Sequence, residues 1–342
     1  MPTSFTWLRL AAVVVLTTGC SEPNKPTPTP DAPALACPAN ITQRGVAGGT
    51  QPVSYALPTV TGGAPPVSLT CAPGSGTSFS VGTTAVACTA VDALSRQAQC
   101  SFTVTLTPLL LSVMKFVAFG DSFTEGEDGR TLTLRHGFGF IDPTGTYPVL
   151  LQGLLNTEYP GQSITVLNRG ISGEPIDSGR ARLPSVLAAD RPGGLLLLHG
   201  YNNLLGSCRA SDPQAAASAE CERATNDVVD GYRKMIQSAK GAGVTYVFAS
   251  TLTPSAASFV GRSDRRIANS AIVRTNARLA PAIRAEGAIL VDPYPVFTGH
   301  EAEYIADDGL HPRRAGYEAL AQTFFAAVKT NVTSTPAFGG IH

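Results

Sequence analysis

The sequence predicts a two-part chain: a small all-β sandwich, then a larger α/β domain whose parallel five-stranded sheet carries helices on both faces. Three observations predict it. Across residues 35–107 Val, Thr and Ser dominate, and two runs within them, 83–91 and 100–106, alternate with period two. From about residue 113 five short apolar runs alternate with helix-period segments, the pattern of βαβ units. Finally, 342 residues correspond to about two domains at roughly 150 residues each.

Residues 1–19 read as a secretion signal: Arg9 closes a basic stretch, residues 10–16 form an apolar core, and Gly19-Cys20 follow. That core is far shorter than the about 20 residues a bilayer span needs. Residues 20–34 form a Pro/Thr-rich linker, with five prolines in 21–34, which favours an extended spacer. The β-domain is expected over 35–108. Alternation is clear in 83–91 and 100–106, and turn signals fall at Gly62-Gly63, Pro65-Pro66 and 73–76. The α/β domain is expected over 113–331, with strands at 113–119, 164–167, 195–198, 244–249 and 288–291. Helices are expected near 147–158, 178–189, 222–241, 266–286 and 313–329, and a tail over 332–342.

Charge excludes one class. Lys+Arg 25 against Asp+Glu 25 gives a net charge of zero, so the chain lacks the cationic excess of a nucleic-acid binder. Charged residues make up only 15%, while Gly 34 and Pro 26 are abundant, which suits turn-rich protein outside the cytoplasm.

Seven cysteines occur: Cys20, Cys37, Cys71, Cys88, Cys100, Cys208 and Cys221. The run Leu16-Thr17-Thr18-Gly19-Cys20 resembles a bacterial lipobox, with Thr17 where an aliphatic residue is usual. The resemblance implies cleavage before Cys20, lipidation of its thiol and a membrane-anchored, exported protein. The other six can then pair, two bridges within 37–100 and one between Cys208 and Cys221, with three connectivities open for the first set. No CxxC or zinc-ligand spacing is present.

The β-segment is similar to the hyalin-repeat (HYR) family of immunoglobulin-like modules. Cys37-Pro38-Ala39-Asn40-Ile41, Phe79-Ser80-Val81-Gly82-Thr83-Thr84, Val91-Asp92 and Cys100-Ser101-Phe102-Thr103-Val104 carry the likeness. It implies a non-catalytic adhesion or spacing module.

Chemistry is sought where each parallel strand ends, since α/β sheets bind ligands outside the carboxyl ends of their strands. After the first comes Gly120-Asp121-Ser122-Phe123-Thr124-Glu125-Gly126, and after the second Asn168-Arg169-Gly170-Ile171-Ser172-Gly173. After the third comes Gly200-Tyr201-Asn202-Asn203, and ahead of the last helix Asp307-Asp308-Gly309-Leu310-His311-Pro312. A serine hydroxyl needs an adjacent base, and among the five histidines only His311 sits on the candidate rim with a carboxylate close by in sequence. His199 is expected to pack as a neutral imidazole, while His136, His300 and His342 have no evident partner. Asp308 could hold the His311 tautomer, with Asp307 the alternative. Ser122 N–H, Gly173 N–H and the Asn202 amide are expected to face a developing oxyanion, each worth about 3 kcal/mol of barrier.

Together these blocks resemble the SGNH hydrolases of the GDSL esterase/lipase family. The resemblance implies a flavodoxin-like three-layer α/β/α fold and cleavage of carboxylic esters through an acyl-enzyme. It makes Ser122 the nucleophile, His311 the base, Asp308 the orienter, and Ser122, Gly173 and Asn202 the oxyanion hole. Phe123 departs from the usual Leu and Asn203 from the usual Asp, and 126–146 form a long Gly-rich loop. In that loop Arg130, Arg135, His136 and Phe138 are candidates to touch a carboxylate or sugar, although a solvated loop is the commoner role for such residues. Short-chain esters, acetylated carbohydrate and lysophospholipid are the candidate substrates. An acyltransferase on the same residues and a non-enzymatic surface binding protein are the rival readings. No cofactor and no metal are implied, since neither an H-E-x-x-H motif nor a P-loop is present.

Overall fold

A computed structural model describes residues 28–45, 49–129, 142–212, 214–260 and 264–334. The chain divides into two compact units. One takes the described residues up to 39 with 56–75 and 86–102, and the other takes 40–55, 76–85 and the described residues from 103 onward.

The N-terminal region is mostly strand: β1 (Ala34–Ala36), β2 (Ile41–Arg44), β3 (Thr50–Pro52), β4 (Thr59–Thr61), β5 (Ser68–Ala72), β6 (Ser78–Ser80), β7 (Gly82–Val91) and β8 (Gln97–Thr107). Within the first unit β1 pairs antiparallel with β4, and β5 pairs antiparallel with the end of β7, Cys71 opposite Cys88. Two disulfides lie there, Cys37–Cys100 and Cys71–Cys88, one of the three connectivities the sequence leaves open. Alternation is visible in burial, since Val86, Cys88 and Ala90 point inward from β7. Asp92 ends that strand as a turn anchor, accepting from the amides of Ala64, Leu94 and Arg96 and from the Arg96 guanidinium. Burial would raise its carboxyl, but these donors hold it down at about 2. Within the second unit β2 runs parallel to the end of β8, and β3 pairs antiparallel with β6.

The rest of the second unit is the α/β sheet. A short β9 (Leu110–Leu111) leads to β10 (Lys115–Gly120), α1 (Ser122–Glu125), α2 (Tyr147–Glu158), β11 (Thr165–Gly170), α3 (Ile176–Asp190) and β12 (Gly194–Leu198). Then come α4 (Tyr201–Ser207), α5 (Ala219–Gly241), β13 (Tyr246–Ser250), α6 (Asn269–Ala285), β14 (Ile289–Val291), α7 (Tyr294–Phe297), α8 (Glu301–Tyr304), α9 (Arg314–Val332) and β15 (Thr333–Ser334). The sheet is parallel throughout, in the order β11-β10-β12-β13-β14. Its first strand has the second on one side and the third on the other, so the order reverses at β10. That reversal opens the crevice in which such folds bind ligands.

Burial explains why the strands are unbroken apolar runs. All five residues of β12, Gly-Leu-Leu-Leu-Leu, are buried, because helices cover both faces. Each buried Leu there contributes about 1.5–3 kcal/mol by the apolar area it removes from water. Helix α5 puts Val228, Tyr232, Met235, Ile236 and Ala239 into the core, spaced three and four apart. Two helices keep a proline inside, Pro184 in α3 and Pro281 in α6. The Cys208–Cys221 disulfide staples the segment between α4 and α5.

Candidate active site

Three strand ends and the loop before α9 form the site. Asp121 is the N-cap of α1, its carboxylate accepting from the Phe123 amide at 3.2 Å, and Ser122 is the first helical residue. The second Asp121 oxygen accepts from the amides of Gly200 (3.0 Å) and Tyr201 (3.2 Å), tying the turn after β10 to the turn after β12. Burial raises the Asp121 carboxyl, although His199 and the three amides oppose the shift. Gly120 makes this approach feasible: a Cβ there would sit 1.8 Å from the Leu198 carbonyl oxygen.

Ser122 Oγ lies 2.9 Å from His311 Nε2, and His311 Nδ1 lies 2.5 Å from Asp308 Oδ2. The other Asp308 oxygen accepts from the Leu310 and His311 amides, both at 3.0 Å. The loop before α9 therefore folds back on itself to bring carboxylate and imidazole together. Ser122, Asp308 and His311 are all buried, at 3%, 6% and 2% exposure. Burial disfavours the His311 cation, but the Asp308 hydrogen bond and charge outweigh it and raise the ring above its ordinary range. Burial would raise Asp308 in turn, and His311 holds it below the ordinary carboxylate value. Asp307 points elsewhere, to Arg313 at 2.8 Å.

The sequence-derived oxyanion donors lie on the two neighbouring strand ends. Gly173 sits in a turn with φ +78°, a conformation that glycine adopts without strain. Among the described residues the Ser122 and Gly173 amides donate to no protein acceptor. The Asn202 amide donates one hydrogen to the Glu174 carbonyl at 3.1 Å, leaving its second hydrogen for another partner. The departures from the family pattern acquire physical roles. Phe123 stacks on Tyr201 with ring centroids 3.6 Å apart and 3° between planes. Asn203 Oδ1 accepts from the Ile176 amide at 2.9 Å and so holds the start of α3, as a carboxylate would.

Other residues in this region escape sequence reasoning. His199 is fully buried, as expected, yet it faces two carboxylates: Nε2 is 3.2 Å from Glu174 Oε2, and Nδ1 is 3.6 Å from Asp121 Oδ2. Glu174 is also clamped by Arg182 at 2.7 Å. Burial would raise that carboxyl, but Arg182 and His199 hold it down at about 2. Glu127 Oε2 lies 3.6 Å from His311 Nε2, and Glu127 Oε1 accepts from Arg265 at 2.7 Å. No motif marks Glu127 or Arg265, because the pair is separated by 138 positions. Glu127, Asp308 and His311 bring one donor atom each within 4.8 Å of one another. All three already hold protein partners, Arg265 for Glu127 and each other for Asp308 and His311. Cys20, Arg130, Arg135, His136, Phe138 and His342 lie outside the described residues. No helix among the described residues is long and apolar enough to cross a membrane.

Two family models match the chain. A model described as the HYR domain matches residues 29–106. Together with three disulfides it fits an extracellular, oxidising setting. No curated protein matches the chain. Similar solved structures include a lipase/acylhydrolase from Enterococcus faecalis, with 19% identity, 63% of this chain and 95% of that chain covered, and TM-score 0.46. Another is Axe2, an acetylxylan esterase from Geobacillus stearothermophilus, with 19% identity, 63% and 94% covered, and TM-score 0.46. The model described as GDSL-like Lipase/Acylhydrolase family matches residues 118–319, more than half of the chain. The chain belongs to the GDSL-like lipase/acylhydrolase family, hydrolases that act on esters.

Proposed function

We propose that residues 113–331 are a serine esterase that cleaves carboxylic esters through an acyl-enzyme. The observation that carries this reading is the continuous contact from Ser122 Oγ through His311 to Asp308, 2.9 Å and then 2.5 Å long. Ser122 Oγ attacks the ester carbonyl carbon as His311 Nε2 takes its proton. The oxyanion of the tetrahedral intermediate accepts from the Ser122 and Gly173 amides and from Asn202 Nδ2. The intermediate collapses, the alcohol leaves with the proton held on Nε2, and an acyl group stays on Oγ. Water then adds to that ester, gives its proton to Nε2, and releases the acid as Ser122 regains a proton. Asp308 holds Nδ1–H throughout, so that Nε2 faces the serine and the imidazolium is stabilised.

In this reading residues 1–19 are removed on export, and Cys20 carries a lipid that anchors the chain. Residues 20–34 are a spacer, and 35–108 are a non-catalytic module holding the enzyme away from the membrane. The test is p-nitrophenyl acetate hydrolysis by the purified protein beside Ser122→Ala. Loss of roughly 10³-fold or more is expected on removing the nucleophile; equal, non-zero rates would exclude Ser122 as nucleophile. Profiling then compares short-chain esters, acetylated oligosaccharides and lysophospholipid. Added glycerol separates hydrolysis from acyl transfer, because transfer yields a glycerol ester. Radiolabelled palmitate incorporation, lost in Cys20→Ala, tests the anchor.

A further inference from the structure

Among the described residues Glu127 is the one carboxylate besides Asp308 that faces His311, and it faces the other ring nitrogen. It follows the left-handed Gly126 that ends α1 and is 3% exposed. Its amide donates to the Ser122 carbonyl at 3.0 Å, and its carbonyl accepts from the Tyr317 hydroxyl at 2.6 Å. The side chain therefore starts from a backbone held against both α1 and α9. Oε2 lies 3.6 Å from His311 Nε2, near enough for strong Coulomb attraction yet beyond hydrogen-bond distance. Arg265 accounts for that spacing, since its guanidinium holds Oε1 at 2.7 Å while its own amide donates to the Asp308 carbonyl at 3.1 Å.

We propose that Glu127 is a positioning residue that stabilises the His311 imidazolium, and that Arg265 both weakens this effect and keeps Glu127 from taking the Nε2 proton. The inference rests on the esterase reading above, in which His311 is the base. An opposite charge within about 4–6 Å favours the charged form of a group, and a like charge disfavours it. Among the described residues, the charged groups facing His311 are Asp308 from its own loop, Glu127 from the turn after α1 and Arg265 from the segment before α6, with Asp128 and Tyr317 close to Glu127. Asp308 and Glu127 raise the ring, whereas Arg265 lowers it. The proton that His311 receives from Ser122 must reach the leaving alcohol. A carboxylate in direct contact with Nε2 would compete for it, and the Arg265 tether prevents that contact.

The pH dependence of kcat/KM for p-nitrophenyl acetate tests the proposal, because it reports the free-enzyme base. Glu127→Gln removes the attractive charge, so its acid limb should move about one unit to lower pH, with the plateau down about tenfold. Arg265→Gln removes the opposing charge, so its acid limb should move to higher pH, and Arg265→Lys should restore the wild-type position. A merely structural role would lower both plateaus without shifting the limbs in opposite directions. Limbs that coincide with wild type, or that shift the same way in both variants, overturn the proposal. Should Glu127→Gln fail to fold, the Arg265→Gln and Arg265→Lys pair decides by the same sign. Ser122→Ala, assayed alongside, separates the two readings. If it keeps wild-type activity the esterase reading falls; if it is inactive and the limbs do not move, the Glu127 inference alone falls.

Discussion

Replacing Asp308 by Asn tests the tautomer of His311 with little change in shape. One Asp308 oxygen accepts two amides at 3.0 Å and the other accepts His311 Nδ1–H at 2.5 Å. Asparagine has a single acceptor oxygen. Keeping the two amide bonds turns its NH₂ group toward Nδ1, where only an unprotonated nitrogen can accept. The ring proton then moves to Nε2, which faces Ser122 at 2.9 Å and can no longer take the hydroxyl proton. The expected loss in kcat is on the order of 10⁴, or about 5.5 kcal/mol of barrier at 1.36 kcal/mol per decade. The assay is p-nitrophenyl acetate turnover, with thermal unfolding to confirm an intact fold. Asp307→Asn is the control: Asp307 is bonded to Arg313 on an exposed surface, so its loss should change kcat by less than about twofold. Activity of Asp308→Asn within tenfold of wild type would refute the reasoning, as would an equal loss from Asp307→Asn.

Three further outcomes are expected. Gly120→Ala should leave little folded protein, since its Cβ would meet the Leu198 carbonyl at 1.8 Å and Thr124 Oγ1 at 2.3 Å, well past the about 1–3 kcal/mol of ordinary overpacking. A melting temperature within about two degrees of wild type would contradict that. Opening the Cys208–Cys221 bridge by Cys208→Ser with Cys221→Ser should cost about 3 kcal/mol for so short a loop, its cysteines 13 positions apart; urea unfolding measures it, and an unchanged midpoint would contradict it. Glu174 has a lowered carboxyl, so it adds stability above its ordinary value of 4.5 and loses it as pH falls toward about 2. Thermal unfolding across that window should fall less steeply in Glu174→Gln than in wild type, and equal slopes would reject the Arg182–Glu174–His199 cluster as the cause.

Much of the fold was legible because burial leaves a local signature. Strands covered on both faces must be continuously apolar, so the runs at 195–198 and 244–249 read as strands, and the structure has β12 and β13 there. Helix α2 at Tyr147–Glu158 coincides with the segment expected from periodicity, while α3, α5, α6 and α9 differ by a few residues at their ends. The short helices α1, α4, α7 and α8 were not legible, since four to seven residues carry too little periodicity. Asn203 appeared in sequence as a deviation. It acquired a reason once its oxygen was seen holding the Ile176 amide from another loop.

By itself the sequence determined which residues end each strand, and so which serine, glycine, asparagine and histidine share one edge of the sheet. That follows from chemistry written locally, in apolar runs, turn residues and Asp-x-x-His spacing. Tertiary structure alone decided which groups then touch: Cys37 with Cys100, Asp308 rather than Asp307 with His311, and Glu127 with both Arg265 and His311. The disulfide and the Glu127 contacts depend on the closure of segments far apart in the chain, each within its own unit, and the Asp308–His311 contact depends on how one loop folds back on itself. No local pattern encodes that closure, because its energy comes from the packing of the whole core.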